Sequence, residues 1–185
     1  MTHQQFRKRA LRELPDTAGV YALCDLDDVP IYIGQATASK DTSIRKRVQR
    51  HLTSARSDVI ANRQLDVWEV AFVRGWECND AGERAKLEAQ LVHHFDTLSP
   101  LVNGTIPTYS GEMVAALPEY ISVQIIEDQL LATRKDPAIR FPRQAETFRQ
   151  LLDYVLNVYD KPHLRRALRV HHERMTRYLQ AFLDK

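Results

Sequence analysis

Two short β-prone runs, separated by an acidic turn, constrain the fold of this chain more than any other feature. The first run is "GVYALC", from residue 19, and the second is "PIYIG", from residue 30. The segment between them is rich in aspartate, a common turn residue, so the pattern predicts a β-hairpin. The hairpin places Tyr21 and Tyr32 on paired strands, each two residues from a glycine. Tyrosines are common in strands, so packing alone can explain them.

The rest of the hydrophobic pattern predicts an α+β domain, with a small three-stranded sheet flanked by helices. Ile44, Val48 and Leu52 recur at helical spacing, and the run "LDVWEVAFVRGW" has the continuous apolar character of a buried central strand. Residues 79–98 predict a second helix packed on the sheet. The inward stripe of this helix comprises Leu87, Leu91, Phe95 and Leu98.

We divide the chain at a turn-rich loop near residue 110. Residues 1–14 predict a basic N-terminal helix, residues 15–110 the α+β domain, and residues 111–185 a helical extension. Residues 143–160 and 163–185 form two amphipathic patterns that predict a helical hairpin. The segment before this hairpin gives no clear helical pattern, because a proline and a β-prone run interrupt it. The apolar residues of the hairpin can either pack on the domain or form a dimer.

Composition indicates a cytoplasmic globular protein. The chain has 185 residues, of which 44% are hydrophobic and 27% charged, and we expect no membrane span. Cys24 and Cys78 lack the spacing of a zinc site or a disulfide framework, so we expect two free thiols.

Positive charge is concentrated in two stretches, although the net charge is only +2. Residues 40–56 carry six Lys/Arg against one Asp, and residues 161–185 carry seven Lys/Arg against two acidic residues. Such patches suit a polyanionic partner, although basic helices are often only solvated surfaces.

The stretch 19–104 resembles the GIY-YIG nuclease domain. The matching features are "GVY", "YIG" ten residues farther on, "KRVQRHL" on the next helix, Glu88 on the following helix, and "VNG" fifteen residues beyond it. Valine for isoleucine in the first phrase is a mild departure. The resemblance implies a module that cuts DNA with one divalent metal ion. It covers less than half of the chain and does not reach residues 112–185.

The resemblance also implies roles for the two tyrosines and for Glu88. Tyr21 is the expected base, and Tyr32 is expected to bind or orient the scissile phosphate. Glu88 lies at the edge of its helix's apolar stripe, where a half-shielded carboxylate can hold one Mg²⁺ or Mn²⁺. Such an ion stabilises charge on the phosphate and the leaving oxygen. A surface glutamate is the alternative, as we expect for the neighbouring Glu83.

Three further residues complete the predicted catalytic set. Arg47 and His51 share one margin of their helix, and a guanidinium can bind phosphate through two hydrogen bonds. His51 can orient the attacking water or hold a tyrosine. The resemblance gives Asn103 a role in ordering the site, although Asn-Gly is also a common turn. Gly34 is expected to leave room for the DNA backbone.

These residues predict a metal-dependent DNA endonuclease that hydrolyses phosphodiester bonds. We expect a compact restriction or phage-defence enzyme, because the chain lacks the length and the cysteines of other relatives. The alternative is a catalytically silent module that binds nucleic acid or protein on the same scaffold. Cutting both strands with one metal site per chain favours a homodimer. The predicted DNA-binding residues are Lys40, Arg45, Lys46, Arg50 and Arg56.

Overall fold

The structure, a computed structural model, describes residues 2–37, 42–53, 63–111 and 116–185. The strands are β1 (Gly19–Cys24), β2 (Pro30–Ala36), β3 (Phe72–Glu77) and β4 (Ile121–Gln124). The helices are α1 (His3–Ala10), α2 (Ile44–Thr53), α3 (Ala81–Leu98), α4 (Asp128–Lys135), α5 (Pro137–Asn157) and α6 (Pro162–Leu183). Short 3₁₀ turns occur at Leu11–Glu13 and Val67–Glu69. No helix in these ranges has the length and apolar character needed to cross a bilayer.

The sheet has four antiparallel strands in the order β2-β1-β3-β4. The predicted hairpin is confirmed, and Tyr21 pairs with Gly34 across it. The expectation of three strands was wrong, because β4 pairs with β3 at the far edge. β4 has only four residues, two of them exposed, so its strand character depends on pairing rather than on an apolar pattern. The run predicted as one long strand is divided into the Val67–Glu69 turn and β3.

The two faces of the sheet are covered by different helices. Tyr21 and Leu23 point to the face that α2 covers, where Ile44, Val48 and Leu52 form the predicted stripe. The alternate residues of β1 pack against α3, as period-two side-chain alternation requires. In α3, Leu91 and Phe95 are buried as expected, and Leu87 is half-buried. Leu98 is 68% exposed instead, because it lies in the last turn, beyond the edge of the sheet.

The α5–α6 hairpin packs on the domain through a cluster of buried charges. Arg174 Nη2 donates to Asp25 Oδ2 at 2.9 Å, and Arg140 Nη2 donates to Glu69 Oε2 at 3.1 Å. Both guanidinium groups also donate to Tyr178 Oη at 2.7 Å. All five residues are buried. Burial raises the pKa of Glu69, and the two arginines act in the opposite direction.

Asp25 connects this cluster to the turn of the first hairpin. Its Oδ1 accepts hydrogen bonds from the backbone N–H groups of Asp27 and Val29, at 2.9 and 3.0 Å. Its Oδ2 binds the arginines of the helical hairpin. Asp28, inside the same turn, has φ of 58°, a left-handed conformation that aspartate tolerates better than most residues. One carboxylate therefore shapes the β1–β2 turn and fastens the extension to it.

Arg174→Met should destabilise the protein by about 3 kcal/mol, because it leaves buried carboxylates undercompensated. Urea unfolding at pH 7 measures the change. Arg149→Met is the matched control, since Arg149 forms only an exposed ion pair with Glu146, and it should change stability by less than about 1 kcal/mol. Equal effects of the two variants would show that the buried cluster contributes nothing beyond a surface pair.

Candidate active site

Two tyrosines and a histidine form a compact aromatic cluster under α2. Tyr21 on β1 has no exposed surface, whereas Tyr32 on β2 is half-buried. Tyr21 Oη lies 2.7 Å from His51 Nε2, within hydrogen-bond distance. The ring centroids of Tyr21 and Tyr32 are 6.3 Å apart, and those of Tyr32 and His51 are 5.3 Å apart. Of the two roles predicted for His51, holding a tyrosine is the one that the geometry shows.

Gly34 makes room for the phenol of Tyr21. A Cβ atom on Gly34 would lie 2.6 Å from Tyr21 Oη and 2.9 Å from its Cζ, closer than real Cβ contacts. We expected this glycine to make room for the DNA backbone, but the neighbour that needs the space is a side chain of the same sheet. The "YIG" glycine and the "GVY" tyrosine are therefore one packing unit across the β1–β2 pair.

The electrostatics of Tyr21 combine burial with a nearby cation. Burial raises the pKa of the phenol far above its usual value, and the neighbouring Tyr32 adds to this shift. The guanidinium of Arg47 is close enough to lower the pKa of Tyr21 in opposition to burial. Arg47 is half-buried at the margin of α2, as its position in the helical pattern predicts. Tyr21, Tyr32, Arg47 and His51 are thus brought together on one face of the sheet.

The side chain of Asn103 binds both backbone groups, the N–H and the C=O, of one residue of β2. Its Oδ1 accepts a hydrogen bond from Ile33 N at 3.0 Å, and its Nδ2 donates to Ile33 O at 2.7 Å. Next to it, Val102 N donates to Ile31 O at 2.8 Å. The side chain is buried, so it is more than a surface turn residue. Asn103 fixes the strand segment that lies between Tyr32 and Gly34.

Glu88 lies on α3, the helix that covers the opposite face of the sheet from the tyrosines. Its carboxylate is half-buried, as predicted, and burial raises its pKa. Arg84, one turn earlier, acts to lower that pKa. Within the described ranges, Glu88 makes no hydrogen bond or ion pair. A half-buried carboxylate without a partner is a donor that suits a cation.

Glu88 could hold a hard divalent ion as the single protein carboxylate among its ligands. Across the described part of the chain, no group of three or more His, Cys, Asp or Glu side chains comes together. This excludes a zinc-type ligand set among those residues. Magnesium commonly binds through one or two carboxylates, with waters and substrate phosphate oxygens completing its shell. Glu88 would be the residue that holds it.

Arg84 is a site residue that the sequence patterns did not single out. It is 6% exposed, and its Nη1 donates to the carbonyl oxygens of Cys78 and Asn79, both at 3.2 Å. Its Nε donates to Gln35 Oε1 at 3.3 Å, which ties the start of α3 to β2 one residue after Gly34. The sequence did contain a signal for it: Arg84 and Glu88 are four residues apart, so their side chains are neighbours on one face of the helix.

The predicted DNA-binding residues have different environments. Lys46 is half-buried and Arg50 is exposed, both on α2. Arg45 instead donates through Nη2 to Arg12 O at 2.9 Å and to Leu14 O at 2.7 Å. Lys40 and Arg56 lie outside the described residues.

Gly34→Ala should destabilise the protein by about 1–3 kcal/mol, because the added methyl group displaces the Tyr21 phenol. Chemical denaturation measures the loss. Gly82→Ala, at the exposed start of α3 with its nearest neighbour at 3.3 Å, is the control and should be neutral or slightly stabilising. In the double variant with Tyr21→Phe, part of the loss should be recovered. Strictly additive effects would contradict the packing unit.

A comparison with protein families gives one match, to the GIY-YIG catalytic domain, over residues 17–99. The matched segment contains both tyrosines, Gly34, Arg47, His51 and Glu88. It ends before Asn103, β4 and the helical hairpin. No curated protein and no solved structure gives a match. The family match supports the superfamily indicated by the two tyrosine phrases, for this segment of the chain.

Proposed function

We propose that this protein is a DNA endonuclease that hydrolyses phosphodiester bonds with the help of a divalent metal ion. The observation that carries the proposal is the convergence of Tyr21, Tyr32, Arg47 and His51 on one face of a segment that matches the GIY-YIG catalytic domain. Glu88, which is half-buried and has no hydrogen bond or ion pair among the described residues, supports a metal requirement. Nuclease activity is what this family match implies in general.

The reaction needs an activated water, and Tyr21 is our candidate base. The phenol has no exposed surface, so the water must approach beside Tyr32 and Gly34. When the imidazole of His51 carries its proton on Nδ1, its Nε2 accepts a hydrogen bond from Tyr21 Oη. The phenol proton can then pass to His51 Nε2. Arg47 favours the ionised phenol. Arg47 opposes the effect of burial on the pKa of Tyr21 only in part, so passage of the phenol proton to His51 is the step that makes Tyr21 a base.

Stabilisation of the negative charge on the phosphate is the second requirement. Arg47 and Tyr32 can meet it from the face of the sheet that α2 covers. Arg47 can donate two parallel hydrogen bonds to phosphate oxygens, and the half-exposed Tyr32 can donate one more. When bound at Glu88, a magnesium or manganese ion stabilises negative charge on the phosphate and on the leaving oxygen. Asn103 holds β2 in place, so that Tyr32 keeps its position relative to Arg47.

A compact enzyme of restriction or phage-defence type is the biological role we propose. The support is that the α5–α6 hairpin packs on the domain through Arg174 and Arg140, so that the described residues form one compact unit. Cutting both strands with one metal site per chain would favour two copies. The hairpin exposes Leu156, Val158 and Tyr159 near its tip, which is consistent with a homodimer. A single-chain mass in light scattering, with and without DNA, would contradict the dimer.

Glu88→Gln should lower the rate of plasmid nicking by about 100-fold or more in magnesium, because metal charge stabilisation is worth several kcal/mol. Glu83→Gln is the matched control: Glu83 lies on the same helix but is exposed and paired with Lys86. It should leave the rate unchanged. If wild type bound DNA but nicked it with none of several divalent metals, the protein would instead be a silent binding module.

The same nicking assay compares the contributions of the two tyrosines to the rate. Tyr21→Phe removes the proposed base and should cost about 10²–10⁴-fold in rate, whereas Tyr32→Phe removes one hydrogen bond to phosphate and should cost less. Thermal unfolding of each variant separates loss of chemistry from loss of fold. A larger loss for Tyr32→Phe would reverse the assignment of the base.

A further inference from the structure

The helices α1 and α2 enclose an open groove of about 510 Å³. Arg7, Lys8 and Leu11 line one side, and Gln49, Leu52 and Thr53 line the other. Leu52 directly follows His51, the partner of Tyr21, so the groove and the aromatic cluster share the helix α2. Since α1 precedes the segment that matches the catalytic domain, this groove is a feature of the whole chain rather than of that segment alone.

Both helices that form the groove are strongly basic and contain no acidic residue. α1 has three Lys/Arg residues and α2 has four, in the sequences "HQQFRKRA" and "IRKRVQRHLT". Basic residues in the last turn of a helix also complement its dipole, which alone can account for part of this pattern. The dipole does not explain why both walls of one groove lack a carboxylate. The cations that line the groove are Arg7 and Lys8 on the α1 side, whereas the α2 side contributes the neutral residues Gln49, Leu52 and Thr53. A cationic wall that faces no carboxylate concentrates anions.

Arg7 is half-buried on α1 and contacts a histidine. Arg7 Nη2 lies 2.9 Å from His3 Nε2, and Arg7 Nε is buried without a hydrogen-bond partner. Burial lowers the pKa values of Arg7, His3 and Arg134, and the charge of Arg7 lowers those of His3 and Arg134 further. In the described ranges, Arg7 forms no ion pair with a carboxylate. An anion in the groove would supply the missing countercharge.

The groove walls are fixed in position by Arg45. This side chain reaches from α2 to the carbonyl oxygens of Arg12 and Leu14, just beyond α1. Arg45 therefore holds the two walls of the groove at a constant separation. A site with fixed walls avoids the ordering cost that flexible surface cations have when they bind.

We propose that this groove binds the phosphodiester backbone of a DNA strand that continues outward from the active site, with Arg7 and Lys8 contacting its phosphates. The proposal rests on the proposed nuclease function for the identity of the polyanion. Phosphate contacts of this kind give affinity and orientation without sequence preference. They would set the register in which the strand reaches Tyr32 and Arg47.

The test is the salt dependence of duplex binding, measured by fluorescence anisotropy in a Glu88→Gln background so that the probe is not cut. A mixed-sequence duplex is titrated at salt concentrations between roughly 50 and 300 mM. Each lost phosphate contact reduces the slope of log K against log salt by about 0.9. The double variant Arg7→Gln with Lys8→Gln should therefore reduce the magnitude of this slope by about 2. Gln49→Glu, which adds a negative charge to the groove and removes no cation, should weaken DNA binding.

The matched control removes the same two charges elsewhere, with Arg149→Gln and Arg165→Gln on the exposed surface of the extension. It should leave the slope unchanged, and thermal unfolding should show all variants folded. An unchanged slope in the groove variant, or an equal decrease in the control, would overturn the proposal. Nicking by chains with native Glu88 is scored separately. A groove-dependent slope without nicking would therefore retain the binding site and reject the nuclease.

Discussion

The carboxylate of Asp25 is the interaction on which the rest of the structure depends. With one oxygen it holds the backbone of the β1–β2 turn, and with the other it binds Arg140 and Arg174 of the helical hairpin. The turn sets the pairing of the strands that carry Tyr21 and Tyr32. The same group therefore links the register of the aromatic cluster to the docking of residues far along the chain. Buried ion pairs of this kind contribute little net stability but strongly disfavour alternative arrangements.

The candidate site is distributed over both faces of the sheet. Tyr21, Tyr32, Arg47 and His51 lie under α2, whereas Glu88 lies on α3 on the other side. β2 is the edge strand, so the two faces meet along it. Arg84 and Asn103 each bind this strand, through Gln35 and Ile33 respectively. The position of β2 thus determines how the phenols and the carboxylate are placed relative to one another.

Local patterns predicted the parts of the fold that depend on neighbours in sequence. The first hairpin and the α2 stripe were predicted correctly because turn residues and helical periodicity report directly on local structure. β4 was not, because four residues with little apolar pattern become a strand only when β3 is beside them. The expectation that Gly34 leaves room for the DNA backbone stays a prediction, and the structure adds a protein neighbour, the phenol of Tyr21. The space around it is occupied by a side chain thirteen residues earlier, on a facing strand, which no local pattern shows.

The double hydrogen bond of Asn103 has a consequence for the solubility of the fold. An edge strand normally presents unpaired N–H and C=O groups, which can template the addition of a strand from another molecule. Here the side chain of Asn103 occupies both groups of Ile33, and Val102 occupies the carbonyl of Ile31. At the other edge, β4 has only four residues. These contacts leave fewer groups of β2 open to an added strand, so the segment that contains Asn103 also shields this edge of the sheet.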